Sequence, residues 1–303
     1  MSKKILITGG TGFIGYHLAK KCLSYGWSVT SISTKKPSKY RKLKNVNYLI
    51  CDIANKKNLQ KKINQNFNYV VNLAGYVDHS KRQKTLKSHY NGCKNLALIF
   101  LNKKIDKFIQ IGSSVEYGNI KSPQKEDRVI NKKLKSIYGA SKLLSTNYLL
   151  ELFKKFNFPV TILRLYLVYG PNQDINRVVP ITIHNSLLNK KFECSSGKQL
   201  RDFIYIDDLI NAIIKALNNK KVLGEIINIG SGNPIKVKEL ILKICKQIKL
   251  GKPIFGKIKF RKDEIINLYP NIKKAKKYLG WYPKIKLDNG LNKTIIFFKS
   301  KKK

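Results

Sequence analysis

The sequence predicts an α/β protein: a doubly wound parallel sheet with helices on both faces, followed by a smaller C-terminal α/β unit. Three observations predict it. A glycine-rich turn, Gly9-x-x-Gly12-x-x-Gly15, lies between an opening apolar run and a helical stretch. Short apolar runs then alternate with helix-length segments as far as residue 165, the pattern of a parallel sheet. After Tyr169-Gly170-Pro171 the texture shifts to loops and shorter elements.

Residues 3–8 are rich in Ile and Leu and read as a buried strand. The glycine turn follows, and residues 16–25 read as a helix. Gly9, Gly12 and Gly15, with Phe13 and Ile14 between them, suit a dinucleotide loop of the Rossmann type. The glycines allow a tight turn, close backbone approach to a pyrophosphate, and close helix packing. The plainer reading is an ordinary strand-to-helix connection.

Residues 28–33 read as the second strand. A carboxylate at its end would hold the ribose 2′-hydroxyl of NAD. Here Ser33-Thr34-Lys35-Lys36 stands instead. Ser33 and Lys35 suit a 2′-phosphate, so NADP(H) is favoured and NAD(H) remains possible. Strands are predicted at 46–50, 69–73, 108–111 and 159–165, and helices at 55–64, 88–102 and 135–156. Ligands of such sheets bind at the carboxyl ends of strands. Asp52 and Ile53 fall at one such end, Leu73, Ala74 and Gly75 at another, and Ser113 and Ser114 at a third.

Beyond residue 170, helices are predicted at 178–189, 209–218, 236–249 and 273–279, and a strand at 224–229. Gly280 supplies the last of these helices with a stop. Residues 1–170 are expected to form the cofactor-binding domain, joined by a segment returning near 200–232. Residues 171–303 are expected to form mainly the substrate-binding domain.

The formal charge is +44, with 61 Lys and Arg against 17 Asp and Glu. Lys is spread through every segment, and the arginines (41, 82, 128, 164, 177, 201, 261) do not gather in one module. A dedicated nucleic-acid site would concentrate Arg and aromatics on one face, so no specific nucleic-acid partner is expected. The charge does favour a phosphate-bearing substrate. The chain opens without a secretory h-region, and no apolar run is long enough for a bilayer. A cytoplasmic protein with no membrane partner is expected. Cys22, Cys51, Cys93, Cys194 and Cys245 are scattered, and His17, His79, His89 and His184 form no ligand set. Reduced thiols and no metal are expected.

Tyr138-x-x-x-Lys142 lies within the predicted helix 135–156. Residues four apart share one helix face. An ammonium beside a phenol favours its ionised form, which fits the phenol for proton transfer. The plainer reading is a surface pair in a Lys-rich chain.

An ordered set of motifs runs across nearly the whole chain. It comprises Gly9-x-x-Gly12-x-x-Gly15, Cys51-Asp52-Ile53, Asn72-Leu73-Ala74-Gly75, Asn91-Gly92-Cys93-Lys94-Asn95-Leu96 and Ser113-Ser114-Val115-Glu116-Tyr117-Gly118. Tyr138-x-x-x-Lys142, Arg164, Tyr169-Gly170-Pro171, Arg201-Asp202-Phe203, Asp207-Asp208 and Leu279-Gly280-Trp281 follow. The set resembles extended short-chain dehydrogenase/reductases of the nucleotide-sugar epimerase/dehydratase kind. The resemblance implies that Ser113, 25 residues before Tyr138, bonds the reacting sugar oxygen, with Ser114 beside the substrate. Tyr138 would move the proton and Lys142 would hold the nicotinamide ribose. Asp52 and Ile53 would bound the adenine, and Leu73, Ala74 and Gly75 would line the cofactor. Arg201 and Arg261 would clamp a diphosphate, a bidentate task suited to guanidinium. A homodimer through the helices at 88–102 and 135–156 is implied as well.

Two departures narrow the reading. The 4,6-dehydratases of this family carry Asp-Glu directly after the catalytic Thr; here Ser114 and Val115 stand there, with Glu116 one place later. Many epimerases carry Asn where this chain has Leu167. The leading expectation is therefore an NADP-preferring reductase, or reverse dehydrogenase, acting at C4 of a nucleotide-activated (6-deoxy)hexose. A nucleotide-sugar 4-epimerase is the alternative. A non-catalytic nucleotide- or RNA-binding protein of the same fold is a third.

Overall fold

The computed structural model describes residues 2–76, 81–127, 134, 136–260 and 264–301. The first half contains β1 (Lys4–Thr8), α1 (Phe13–Ser24), β2 (Ser28–Ser33), β3 (Val46–Ile50), α2 (Lys56–Lys62), β4 (Tyr69–Asn72), α3 (Arg82–Leu86), α4 (Gly92–Leu101), β5 (Lys107–Ser113) and α5 (Ile137–Phe156). Then come β6 (Val160–Leu165), β7 (Leu167–Tyr169), α6 (Val178–Leu187), β8 (Lys191–Glu193), β9 (Leu200–Tyr205), α7 (Ile206–Leu217), β10 (Ile226–Ile229) and β11 (Pro234–Lys236). The chain closes with α8 (Val237–Ile248), β12 (Lys252–Ile254), β13 (Asn267–Leu268), α9 (Lys273–Leu279) and α10 (Leu287–Ser300).

Among the described residues, seven strands form one parallel sheet in the order β10-β6-β5-β4-β1-β2-β3. The order reverses between β1 and β4, which opens the ligand crevice of a doubly wound sheet. Alternation along the strands divides the core into two layers. Ile5, Ile7, Val71 and Ile109 face the layer containing Leu18, Leu209 and Ile213 of α1 and α7. Leu6, Val70 and Phe108 face Leu59, Leu96, Phe100 and Leu149 of α2, α4 and α5. Cys22 and Cys93 are buried within these layers, and burial pushes both thiols up to about 12.

The smaller unit is organised around β9. Its first residues pair with β11 antiparallel and with β13 parallel, while Phe203–Tyr205 pair with β7. A second ribbon joins β8 and β12. The apolar cluster of β1 and α1 continues through Tyr169, Leu240 and Trp281 into this unit, so one core spans the sheet and the later helices.

Several elements differ from the sequence expectation. The helix expected at 88–102 begins as a widened π-type turn, Lys87–Asn91, before α4. The strand expected at 108–111 runs on to Ser113, so this serine closes the strand. α10 had no sequence signal. Its Asn, Gly and Thr residues are poor helix formers, and it is held by the buried face of Gly290, Leu291, Thr294 and Ile295. Gly290 is required there, because a Cβ would lie 2.1 Å from the Tyr169 hydroxyl. The start of the 135–156 helix falls on Lys135, outside the described residues; Ser136 caps α5 by accepting from the Gly139 N–H at 3.4 Å.

Candidate active site

The glycine loop sits where β1 meets α1. Gly9 is left-handed at φ +70°, its N–H donates to the Ile32 carbonyl at 2.7 Å, and its carbonyl accepts from the Gly12 N–H at 2.9 Å. A Cβ on Gly15 would lie 2.4 Å from the Gly9 carbonyl, so only glycine fits. α1 starts at Phe13 with no side-chain cap and no acid in its first turn. Its first N–H groups are therefore left without helical partners at the helix end, beside Phe13 and Ile14, an arrangement able to hold an anion. This cradle fits the pyrophosphate of a dinucleotide.

The neighbouring strand ends complete the rim. Ser33 is buried, and its Oγ accepts from the Thr11 N–H at 3.3 Å. Lys35 and Lys36 are exposed beyond it. Asp52 accepts from the Ala54 N–H at 2.9 Å, and Ile53 is buried against Gly92. Leu73 and Ala74 press on Gly9, where a Cβ would come within 3.1 Å of both. Gly75 lies against His89, whose Cε1 would be 2.0 Å from a Cβ placed there.

A buried polar chain runs beneath this rim. The Thr8 hydroxyl donates to Asn72 Oδ1 at 2.5 Å, Asn72 Nδ2 to Gln110 Oε1 at 2.7 Å, and Gln110 Nε2 to the Ile111 carbonyl at 3.0 Å. Lys142 Nζ donates to that same carbonyl at 2.7 Å and is buried. The ammonium has two further N–H donors. The lysine is thus anchored to the strand that ends in Ser113, and the surface-pair reading fails for it.

Ser113 and α5 meet at the end of β5. Ser113 Oγ accepts from the Val115 N–H at 3.5 Å, capping the short turn 114–117. Gly139 abuts the Val115 carbonyl, 3.0 Å from where a Cβ would sit. Tyr138, the preceding residue, is half-buried and packs edge-on against His89 with ring centroids 5.0 Å apart. His89 Nε2 lies 3.2 Å from the Tyr76 carbonyl. Ser114 is buried beside the strand end.

Glu116 is fully buried. Oε1 accepts from the Ser113 N–H at 2.7 Å; Oε2 accepts from the Thr146 hydroxyl at 2.8 Å and from Arg164 Nε at 3.0 Å. Burial opposes the charge of Arg164, but Glu116 and Tyr117 outweigh it and hold the guanidinium above its usual range. The Glu116 side chain thus points inward.

Arg201 is buried. Its Nη1 donates to the Leu200 and Ile266 carbonyls at 2.8 and 3.1 Å, and its Nη2 pairs with Glu264. Arg261 lies outside the described residues, as do His79 and Arg128. Leu167, the site of the epimerase asparagine, is 38% exposed. Sequence reasoning missed His89, Thr146 and Gln110, which only the tertiary fold brings to this site, and Glu264, which it brings to Arg201. No cluster of His, Cys, Asp or Glu able to hold a metal occurs among the described residues.

Known proteins bear on this geometry. The model of the NAD dependent epimerase/dehydratase family matches residues 5–230. A UDP-N-acetyl-alpha-D-glucosaminuronate decarboxylase of Bacillus cytotoxicus is 30% identical over 99% of this chain and 98% of its own. The human dTDP-D-glucose 4,6-dehydratase is 28% identical over 98% of this chain and 90% of its own. Among solved structures, the UDP-glucuronic acid 4-epimerase from Bacillus cereus, in complex with UDP-glucuronic acid and NAD, superposes with a TM-score of 0.86. It is 29% identical and covers 98% of this chain and 99% of its own. The relatives' names cover three different reactions.

Proposed function

The chain belongs to the NAD dependent epimerase/dehydratase family, and on that premise we propose that it is an oxidoreductase acting at C4 of a nucleotide-diphosphate (6-deoxy)hexose. Bound nicotinamide supplies or accepts the hydride. Tyr138 gives the proton to the C4 oxygen during reduction and takes it during oxidation. Ser113 donates a hydrogen bond to that oxygen where charge develops. Lys142, anchored on the Ile111 carbonyl, directs its remaining N–H donors to the ribose. Arg201, braced by Glu264, and Arg261 hold the diphosphate, so that remote binding orients the sugar.

One observation carries the choice of reaction. Glu116, the acid nearest Ser113 in sequence, is fully buried on Arg164, with its oxygens committed to Ser113, Thr146 and Arg164. Val115 stands where a dehydratase places its glutamate. Removing water from the sugar ring needs a further acid–base group; exchanging a hydride at C4 does not. NADP(H) is the preferred cofactor, because Ser33-Thr34-Lys35-Lys36 offers hydroxyls and ammonium groups and no carboxylate. The protein works as a homodimer through α4 and α5, where Leu144 is 44% exposed, with no dedicated nucleic-acid partner.

The test is oxidation of NADPH by the purified protein with a panel of 4-keto-6-deoxy nucleotide sugars. The expected result is stoichiometric loss of NADPH and formation of a 4-hydroxy sugar. No turnover with any nucleobase in either direction refutes the reading. The 4-epimerase reading has support in the Bacillus cereus relative and its NAD. Protein that purifies with tightly held NAD and interconverts two sugars without net redox change decides for it.

A further inference from the structure

Three elements must keep a fixed relation for the reaction proposed above: the end of β5 with Ser113, the helix α5 with Tyr138 and Lys142, and the strand β6 beside them. A single buried side chain touches all three. The Glu116 carboxylate takes the Ser113 main-chain N–H at 2.7 Å, the Thr146 hydroxyl of α5 at 2.8 Å, and Arg164 Nε of β6 at 3.0 Å. Thr146 lies four residues beyond Lys142 and eight beyond Tyr138, so the three share one face of α5. α5 is therefore pinned to β5 twice, by Lys142 on the Ile111 carbonyl and by Thr146 on Glu116.

The surroundings are shaped around this carboxylate. A Cβ on Gly112 would lie 2.6 Å from Glu116 Oε1 and 3.1 Å from Arg164 Cγ, so glycine leaves the room the carboxylate fills. Gly112 and Arg164 are register partners in the sheet. The Arg164 guanidinium in turn lies 4.4 Å from the centre of the Tyr117 ring. Charge-assisted bonds of this kind are short and directional, and each Glu116 oxygen has its own partners.

We propose that Glu116 is a positioning residue: it sets the Ser113 hydroxyl against Tyr138 by bonding the backbone of the serine and the helix of the tyrosine at once. It touches no substrate. The proposal rests on the reading of Ser113 and Tyr138 as the reacting pair. It adds that the glutamate one place past the dehydratase position serves alignment rather than ring chemistry.

Glu116→Gln tests it, because an amide has one acceptor oxygen and one donor nitrogen. Its nitrogen must face either Ser113 N–H or Arg164 Nε–H, so one bond becomes a donor–donor clash whichever way the amide turns. Hydride transfer is followed in single turnover with cofactor and sugar nucleotide saturating, alongside both dissociation constants. Glu116→Gln is expected to slow hydride transfer by about ten- to a hundred-fold, the scale of a small misplacement of a reacting group. Both dissociation constants should stay within about threefold. In a Ser113→Ala background the same change should cost no more than about twofold, since the group it positions is gone. Equal losses in both backgrounds, or an unchanged rate in the first, overturn the proposal. Should Glu116→Gln fail to fold, Thr146→Val takes its place, deleting one bond and keeping the ion pair, with the same comparison against Ser113→Ala. The Ser113 amide resonance provides a readout that needs no substrate. It should move in Glu116→Gln or Thr146→Val, and an unmoved resonance overturns the proposal even if the wild-type protein turns over nothing. Wild-type inactivity with a displaced resonance refutes only the reaction reading.

Discussion

Lys142 Nζ donates to the main-chain carbonyl of Ile111 at 2.7 Å, inside a core that leaves the lysine 5% exposed. The same carbonyl receives Gln110 Nε2 at 3.0 Å, at the end of a buried chain that begins at Thr8 beside the glycine loop. The lysine of the Tyr-x-x-x-Lys pair is thus wired to the strand beneath the cofactor rim. Lys142→Met should remove both this anchor and the ribose contact. The expected outcome is a loss of about a hundred-fold or more in turnover, with weaker cofactor binding by calorimetry. Lys142→Arg should not restore it, because a planar guanidinium does not fit a point-charge site.

Tyr138→Phe removes the proton and keeps the ring that packs on His89 at 5.0 Å. Turnover should fall by about a hundred- to ten-thousand-fold, the usual worth of a positioned acid–base group. Cofactor affinity and thermal stability should stay near those of the wild type. Full activity in a folded, cofactor-binding variant would remove Tyr138 from the mechanism.

Gly75→Ala places a Cβ 2.0 Å from His89 Cε1 and 2.5 Å from Nδ1. Backbone or ring must shift, and the strand end that carries Ala74 moves with it. Cofactor binding is expected to weaken about tenfold, about 1.4 kcal/mol. Adding His89→Ala frees the space, so the double variant should bind cofactor more tightly than Gly75→Ala alone.

Arg164→Met leaves the Glu116 carboxylate buried without its countercharge. Breaking a buried pair from one side costs about 3–5 kcal/mol, which urea denaturation can read directly. Glu116→Gln combined with Arg164→Met should cost less than the sum of the single changes, because no unpaired charge is then left inside.

Lys107 provides the pH-dependent prediction. It is 1% exposed, its Nζ donates to the Asn219 carbonyl at 2.7 Å, and burial lowers its amine from 10.5 to about 8. From about pH 8 to 10.5 the unfolded chain holds a proton on this lysine that the folded chain has released. Its contribution to stability therefore rises with pH across that window, and its penalty is fully present below pH 8. Denaturation of wild type and Lys107→Met at pH 7 and pH 9.5 isolates the effect from the titration of other groups. The difference in stability should shift in favour of wild type at the higher pH; a constant difference contradicts the assignment.

Most of the sheet was legible because its strands are buried on both faces and read as continuous apolar runs, and because glycine turns punctuate them. The first six elements, β1 to β4, and the helix α5 fall within a few residues of expectation, whereas α3 was not expected. α10 was hidden by Asn, Gly and Thr, which propensity disfavours and packing against Tyr169 rescues. The π-type turn at Lys87–Asn91 was hidden as well, because its local sequence reads as ordinary helix. The family motifs named Ser113, Tyr138 and Lys142, but nothing in their spacing indicated what holds them.

By itself the sequence determined the doubly wound class, the glycine cradle at the start of α1, and the residue types offered for hydride and proton transfer. Each rests on local chemistry: apolar period, glycine geometry, and the one-face spacing of residues four apart. Only the tertiary structure decided where Glu116 points, that Lys142 is anchored rather than at the surface, and that His89 lies between Gly75 and Tyr138. Those contacts join residues from 14 to 49 positions apart in the chain. They follow from strand order and core packing, which bring the carboxylate of the turn after β5 against the arginine of the neighbouring strand β6, where water cannot compete for either.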